Sequence, residues 1–162
     1  MRTISRVTAY AAGLLLTASL VPASAALGAV HADRSASDGQ ILRATVAGSL
    51  TSDPLLFGVR PGGAPWTVEE GTVRLGADGS LDVKVEGLII PTNGVNPLPA
   101  LAASVVCNGA VVATTATVPF SPTGDARIRT TVALPVRCLA PAVLLNPNGN
   151  PAVFIGATGR EA

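Results

Sequence analysis

Two cysteines are the residues of this chain whose type and number most directly imply chemistry. Cys107 and Cys138 are the only cysteines among 162 residues, and both lie in the second half of the chain. A bridge that closes a loop of about 30 residues adds about 3–4 kcal/mol to stability. The alternatives are a metal-binding pair or a reactive thiol, but the chain has no Cys-x-x-Cys, and its one histidine, His31, is distant in sequence. The sequence therefore predicts a Cys107–Cys138 disulfide, as is typical of an oxidising compartment.

Residues suited to acid, base or nucleophilic catalysis are few. A serine hydrolase needs a base beside its serine, usually a histidine, and His31 is the only histidine, while Gly-x-Ser-x-Gly is absent. Glu69 and Glu70 are the only adjacent carboxylates, the groups that a glycosidase uses. Neighbours on a regular strand point to opposite faces, so this pair would not converge unless a bulge redirects one of the two side chains. We predict no catalytic residue and no enzymatic activity; an enzyme with a scattered carboxylate site stays an alternative.

Three oxygen-bearing side chains at alternate positions, Asp78, Ser80 and Asp82, could offer ligands to calcium. Their spacing is not that of an EF-hand loop, and an Asp-Gly pair in a hairpin turn accounts for Asp78 without a metal. Stacking on sugars or bases needs exposed aromatic side chains, and we expect the single tryptophan, Trp66, to lie in the core. No metal site and no cofactor are predicted.

The first 25 residues have the parts of a secretory signal peptide. Arg2 and Arg6 form a basic start, residues 7–21 are uncharged, and small residues at 23–25 precede a cleavage point. A membrane anchor is the alternative, but about 15 apolar residues are fewer than the roughly 20 that span a bilayer. We therefore expect a secreted protein, extracellular or loosely associated with the cell wall, with no membrane span in the mature form.

Cleavage also changes the charge of the chain. The full sequence has 11 basic and 10 acidic residues, and loss of Arg2 and Arg6 leaves 9 against 10, a net charge of −1. Nucleic-acid binding needs a concentrated basic patch, so no nucleic-acid partner is predicted. The remaining length suits one domain. We divide the chain into a signal peptide (1–25), a flexible lead-in (26–40) and a β domain (41–160).

The elements that must position these residues are β-strands. Apolar and polar residues alternate along most of the chain after residue 40, and the segment 81–86 (LDVKVE) is the clearest case. Inward positions change from even numbers at Trp66 to odd numbers at Val73, which predicts a bulge at Glu70-Gly71. About eight short strands without a helix-period segment predict an all-β fold, a single antiparallel β-sandwich.

This predicted sandwich has an immunoglobulin-like architecture but is not a true immunoglobulin domain. The core tryptophan of an immunoglobulin domain lies between its two cysteines. Trp66 precedes both Cys107 and Cys138, and the mature chain has no tyrosine.

The strongest turn signal is Asn108-Gly109, the pair that a two-residue type I′ turn prefers because both positions need positive φ. The predicted hairpin pairs are Cys107–Ala110, Val106–Val111, Val105–Val112, Ser104–Ala113 and Ala103–Thr114. Both faces of this hairpin are apolar or nearly so. Such a hairpin is expected in the middle of a sheet that is covered on each side.

Two features could form a partner surface. One is the proline-stiffened loop of residues 91–99, which is either a recognition surface or a crossover between sheets. The other is the outer face of the predicted hairpin, which either packs inside the fold or meets a partner. The residues selected for a partner surface are Pro91, Asn93, Asn96, Pro97, Leu98, Val106 and Val111.

Three segments carry a resemblance to known sequences: residues 104–109 (SVVCNG), 118–122 (VPFSP) and 138–151 (CLAPAVLLNPNGNP). In these segments the chain resembles uncharacterised small secreted proteins of high-GC Gram-positive bacteria, a group with no known activity. The ratio of ten arginines to one lysine is typical of such a genome. The resemblance covers residues 41–159 and implies export and a shared fold.

Together these features predict an exported, non-enzymatic structural or binding module at or outside the cell surface. Its partner would be a protein or a cell-surface component. The first alternative is a secreted protease inhibitor that presents residues 91–99 or the loop around Cys138, because a disulfide-braced, proline-stiffened loop is preorganised for binding.

Overall fold

The computed structural model describes residues 39–159, and within them every regular element is a β-strand. The predicted signal peptide and most of the predicted lead-in lie outside the described residues. The strands are β1 (Gln40–Gly48), β2 (Arg60–Pro61), β3 (Glu70–Gly76), β4 (Ser80–Glu86), β5 (Ala100–Cys107), β6 (Ala110–Thr114), β7 (Val118–Pro119), β8 (Ala126–Thr131), β9 (Ala142–Pro147), β10 (Val153–Phe154) and β11 (Gly156–Thr158). The all-β prediction is confirmed.

Nine strands form one curled antiparallel sheet in the order β6-β5-β9-β11-β1-β3-β4-β8, with β7 paired to β5. β1 belongs to both halves of the sheet, because residues 40–45 pair with β3 whereas residues 46–48 pair with β11. β2 and β10 form a separate parallel pair. The predicted division into two stacked sheets is therefore not confirmed, since β1 joins the halves into one sheet.

The main core fills the concave side of the curled sheet. Alternate residues of β3, β4 and β8 pack against alternate residues of β5 and β9, as the period-two pattern requires. The fully buried members include Val73, Leu75, Leu101, Val105 and Leu145. Trp66 is also buried in this core, as predicted from the scarcity of aromatic residues. Both halves of the sheet thus close over one apolar interior.

The convex side of β5 and β9 is also covered, which explains the apolar residues on both faces of β5. Val106 and Leu144 pack there with Val59 and Phe154 in a second, smaller core. Phe154 belongs to β10, so the small parallel pair closes this side of the sheet. The expectation that β5 lies in the middle of the sheet is confirmed, because β6 and β9 flank it.

The expectation that the hairpin is covered on both faces is wrong for β6, which is an edge strand with mostly exposed residues. Its register is correct near the turn, where Cys107 pairs with Ala110 and Val106 with Val111. It then shifts by one residue, because Val105 pairs with Ala113 and leaves Val112 as the extra residue of a bulge. An edge strand is hydrogen-bonded to a neighbour on one side only. A bulge in β6 therefore disturbs its pairing with β5 and no pairing on the other side.

The predicted bulge at Glu70-Gly71 is wrong, because β3 pairs with β4 without a shift from Glu70–Glu86 to Leu75–Leu81. The inward face instead changes on both chains at once, just before β3 and just after β4. Leu88 is fully buried there, and Gly87 next to it has a φ of +63°. Thr67 pairs with Ile89, and Glu70 pairs with Glu86. The two segments between these pairs, 67–70 and 86–89, have the same length, so neither contains the extra residue of a bulge.

Candidate functional site

Glu70, one of the two adjacent carboxylates, belongs to a group of charged side chains on neighbouring strands. Glu70 is paired across the strands with Glu86, and Lys84 lies between their carboxylates. The Lys84 Nζ is 2.8 Å from Glu86 Oε1 and 3.9 Å from Glu70 Oε2. The hydrogen bond to Glu86 raises the pKa of Lys84 above its usual range. These groups form an exposed ion-pair cluster on the convex sheet face.

The three oxygen-bearing residues considered for calcium have other partners. Asp78 closes the β3–β4 turn, where its Oδ1 accepts hydrogen bonds from Ser80 N at 2.9 Å and Ser80 Oγ at 2.7 Å. These bonds lower the pKa of Asp78. Asp82 Oδ2 instead accepts bonds from Arg127 at 2.9 Å and Arg129 at 3.2 Å on β8. Within residues 39–159 no three acidic, histidine or cysteine side chains group as a metal site.

Asp82 gives a testable pH dependence. Partial burial of its carboxyl raises the pKa, but the hydrogen bonds and charges of Arg127 and Arg129 outweigh it, so the pKa falls below the ordinary 3.8. A lowered folded-state pKa means that the unfolded chain binds more protons in this range, so this stabilisation is present above pH 3.8 and is lost as the pH falls below it.

We therefore expect the melting temperature to fall on acidification below this pH, and the Asp82→Asn variant to show a smaller fall. Thermal unfolding followed by circular dichroism from neutral to strongly acidic buffer measures both. Parallel curves for wild type and variant would contradict the role of this carboxylate.

The loop of residues 91–99 connects β4 with β5, which lie in different halves of the sheet, and is therefore a crossover. Asn96 is buried, and its amide donates to the carbonyls of Leu98 and Ser121 at 2.8 Å each. Its Oδ1 accepts from Leu98 N at 2.9 Å, and Leu98 packs against the main core. These two residues anchor the loop, whereas Pro91, Asn93 and Pro97 are exposed.

The other two residues selected for a partner surface do not share an accessible face. Val106 is fully buried in the second core beside Leu144 and Phe154, and it offers no surface to a partner. Val111 is directly opposite on the edge strand β6 and is partly exposed.

The loop around Cys138, which the sequence offered to the inhibitor alternative, has a more exposed apolar surface; we name it the Cys138 loop and define it as residues 135–140 (PVRCLA). It connects β8 with β9. Val136 is as exposed as a valine in an extended peptide (106%), and Leu139 is 55% exposed. The Val136 side chain gains no burial from folding, and about half of the Leu139 surface stays in water, so the loop displays apolar surface that the domain itself does not cover.

The Cys138 loop is held by a covalent bond at its centre. Cys138 is disulfide-bonded to Cys107 at the end of β5, with Cα atoms 4.8 Å apart, so the predicted bridge is confirmed. Val132 and Leu134, just before the loop, pack against the main core. The loop is thus anchored upstream by packing and downstream by a bond to a central strand.

Asn108 adds a hydrogen-bonded clamp that the sequence did not reveal. Its Nδ2 donates to the Arg137 carbonyl at 2.8 Å, and its Oδ1 accepts from Leu139 N at 2.9 Å. Its backbone N–H donates to the Leu139 carbonyl at 2.8 Å. Asn108 and Gly109 both have positive φ, +56° and +80°, as the predicted turn requires. The turn therefore places the asparagine amide against the loop, and its position next to Cys107 was the one available signal.

Backbone strain marks the end of the same loop. Ala140 has a φ of +47°, a conformation that costs a residue with a Cβ about 1–2 kcal/mol. Strained residues outside glycine persist where the surrounding structure over-determines them, and they concentrate at functional segments.

A second group of exposed apolar residues lies between β1 and β2. Leu50, Leu55 and Phe57 are 51%, 66% and 42% exposed. A shallow depression beside them is lined by Trp66 and Phe154 among others. The disulfide and the Asn108 side chain, which hold the Cys138 loop, do not contact this segment, so Leu55 is a suitable control position.

Comparison with protein-family models, with curated proteins and with solved structures finds no match. Among residues 39–159 no helix has the length and apolar character needed to cross a membrane.

Proposed function

We propose that this protein is an exported, non-enzymatic binding module that works at or outside the cell surface and meets its partner through the Cys138 loop. One observation carries the proposal. The loop is held in one conformation by the Cys107–Cys138 disulfide and the Asn108 clamp, while Val136 and Leu139 project into solvent.

Binding through such a loop is favoured by entropy. Ordering a flexible segment on association costs free energy, and a segment already held in its bound conformation avoids that cost. Covering the exposed apolar side chains of Val136 and Leu139 in an interface would also remove their surface from water, which favours association. The partner expected for this surface is a protein, because the loop offers apolar side chains and backbone groups.

Export and the finer description of the fold belong to the same proposal. A disulfide between the two cysteines fits an oxidising compartment, and residues 1–25 have the pattern of a cleaved signal. We also describe the domain as sandwich-like, because the halves β6-β5-β9-β11 and β1-β3-β4-β8 face each other across one core.

The binding surface is tested with charge substitutions on the mature protein, residues 26–162. Val136→Asp on the Cys138 loop is compared with Leu55→Asp, an exposed apolar position outside it. Immobilised wild type and both variants are incubated with the culture medium and cell-wall fraction of the producing cells, and retained proteins are identified and quantified by mass spectrometry.

We expect Val136→Asp to reduce retention of the partner by at least about tenfold, the equivalent of about 1.4 kcal/mol. Leu55→Asp should retain it, and both variants should melt like wild type because neither side chain is buried. Equal retention by Val136→Asp and wild type would exclude the Cys138 loop as the binding surface. Fractionation that finds the protein only inside the cell would exclude export.

A further inference from the structure

We propose that the Cys138 loop acts as a substrate-like inhibitor of serine endopeptidases whose specificity pocket is small and apolar, and that it offers them the Val136–Arg137 peptide bond. The inference rests on the proposed function, in that the same loop is the binding surface. It adds the class of the partner and the atoms involved.

The exposure of Val136 selects it as the residue that enters the specificity pocket. A serine endopeptidase binds the side chain before the cleaved bond in a pocket, and it binds the carbonyl oxygen of that residue with N–H donors of its oxyanion hole. The Val136 side chain is fully exposed. None of the hydrogen bonds formed within residues 39–159 uses its carbonyl oxygen. Both groups are therefore free for a protease.

The residues that follow Val136 are not free in the same way. The carbonyl of Arg137 accepts a hydrogen bond from Asn108 Nδ2, and the backbone N–H and carbonyl of Leu139 are both bonded to Asn108. Cys138 is tied to Cys107. The clamp thus withholds the bonds after Arg137 and Leu139 from an oxyanion hole, and the disulfide withholds the Cys138 side chain from a specificity pocket. The Val136–Arg137 bond combines a free carbonyl with a fully exposed apolar side chain before it.

The same clamp explains inhibition in place of digestion. Attack of the protease serine on the Val136 carbonyl carbon forms an acyl-enzyme and breaks the bond to the Arg137 nitrogen, which takes a proton from the protease histidine. In an ordinary substrate the new amine diffuses away. Here Arg137 and Cys138 stay fixed to Asn108 and Cys107. The amine therefore remains beside the acyl carbon, attacks it, and re-forms the original bond with return of the proton and release of the serine.

The chemistry of Val136 determines the protease class. A valine side chain fits a small apolar pocket of the elastase kind, whereas a pocket with a buried aspartate, as in trypsin, would be left with an unpaired charge. Arg137 follows the cleaved bond and does not enter that pocket.

The experiment measures inhibition of elastase and of trypsin by the mature protein, with chromogenic substrates and a titration of the inhibitor. Wild type is expected to inhibit elastase, and Val136→Lys is expected to transfer inhibition to trypsin, each with a change of at least about thirtyfold in the inhibition constant. Leu55→Lys, which adds the same charge at another exposed apolar position, should behave as wild type.

Asn108→Gly tests the clamp. Glycine suits the positive φ of this turn position, so the hairpin is kept while the side-chain amide is lost. This variant should be cleaved faster and lose inhibition over time. Non-reducing mass spectrometry should show a gain of one water and cleavage only after Val136, with the two fragments joined by the disulfide.

Wild type that inhibits neither protease, or that is digested rapidly at another bond, overturns this inference. The proposed function fails separately. If wild type inhibits neither protease but captures a partner that Val136→Asp does not retain, the loop is a binding surface for a different protein. If Val136→Asp changes neither retention nor inhibition, both proposals fail.

Discussion

Replacing Gly79 with alanine is expected to lower the free energy of unfolding by about 3 kcal/mol, from an αL cost of about 1–2 kcal/mol and overpacking of similar size. Gly79 lies in the β3–β4 turn with a φ of +83°. A Cβ at this position would overlap the carbonyl oxygen of Val132. Val132 cannot move away freely, because its N–H donates to the Gly79 carbonyl at 2.9 Å.

Gly109 is the matched control for this substitution. Its φ is +80°, close to that of Gly79, but a Cβ there would meet nothing within 4 Å. Gly109→Ala should therefore carry only the conformational cost, about 1 kcal/mol. Urea denaturation of the two variants and wild type measures the difference. Equal losses at both glycines would show that the segment after β8 adjusts to the added methyl group.

Removal of the disulfide should have an effect of comparable size. The double variant Cys107→Ala/Cys138→Ala is expected to lose about 3–4 kcal/mol, because the unfolded chain is no longer restricted by a loop of this length. The loss of the sulfur atoms adds to it, since Cys107 is buried in the main core and Cys138 packs against that core.

Each single variant should lose nearly as much as the double variant, because one bond is broken in every case and the effects do not add. Urea denaturation measures the free energies, and thiol titration of denatured, unreduced wild type should find no free thiol. The Cys138 loop should also become sensitive to proteases in all three variants. Wild type that melts identically with and without reductant would contradict the role of the bridge.

Features that follow from local pattern or from the composition of the chain were predictable. Asn108-Gly109 specifies its turn because both residues tolerate positive φ, and the structure has both there. The strands follow the period-two pattern because burial of one face requires it. Pairing of Cys107 with Cys138 followed from an even count of two. The buried position of Trp66 followed from the scarcity of aromatic residues.

Features that depend on the partner of a strand were not predictable in the same way. The sequence of an apolar strand face does not indicate which element packs against it. Val106 and Val111 were therefore predicted to be equivalent, although Val106 is buried and Val111 lies on an edge strand. The change of inward face before β3 looked like a bulge because one strand was considered without its partner. In the structure the chain makes the same change at Gly87 and Leu88, just after β4.

For the Cys138 loop, too, some features follow from the local sequence and others only from the tertiary structure. The two cysteines and the prolines at 135 and 141 are local evidence, and by themselves they determined that a braced, stiff loop would lie around Cys138. Only the tertiary structure decided which atoms of that loop are held and which are free. The Asn108 amide contacts residues that are 29 and 31 positions away. Val136 is exposed because, within residues 39–159, the folded chain places no other segment against its side chain. Such contacts are set by the order of the strands in the curled sheet, because long-range packing, and not local pattern, brings β5 and the Cys138 loop together.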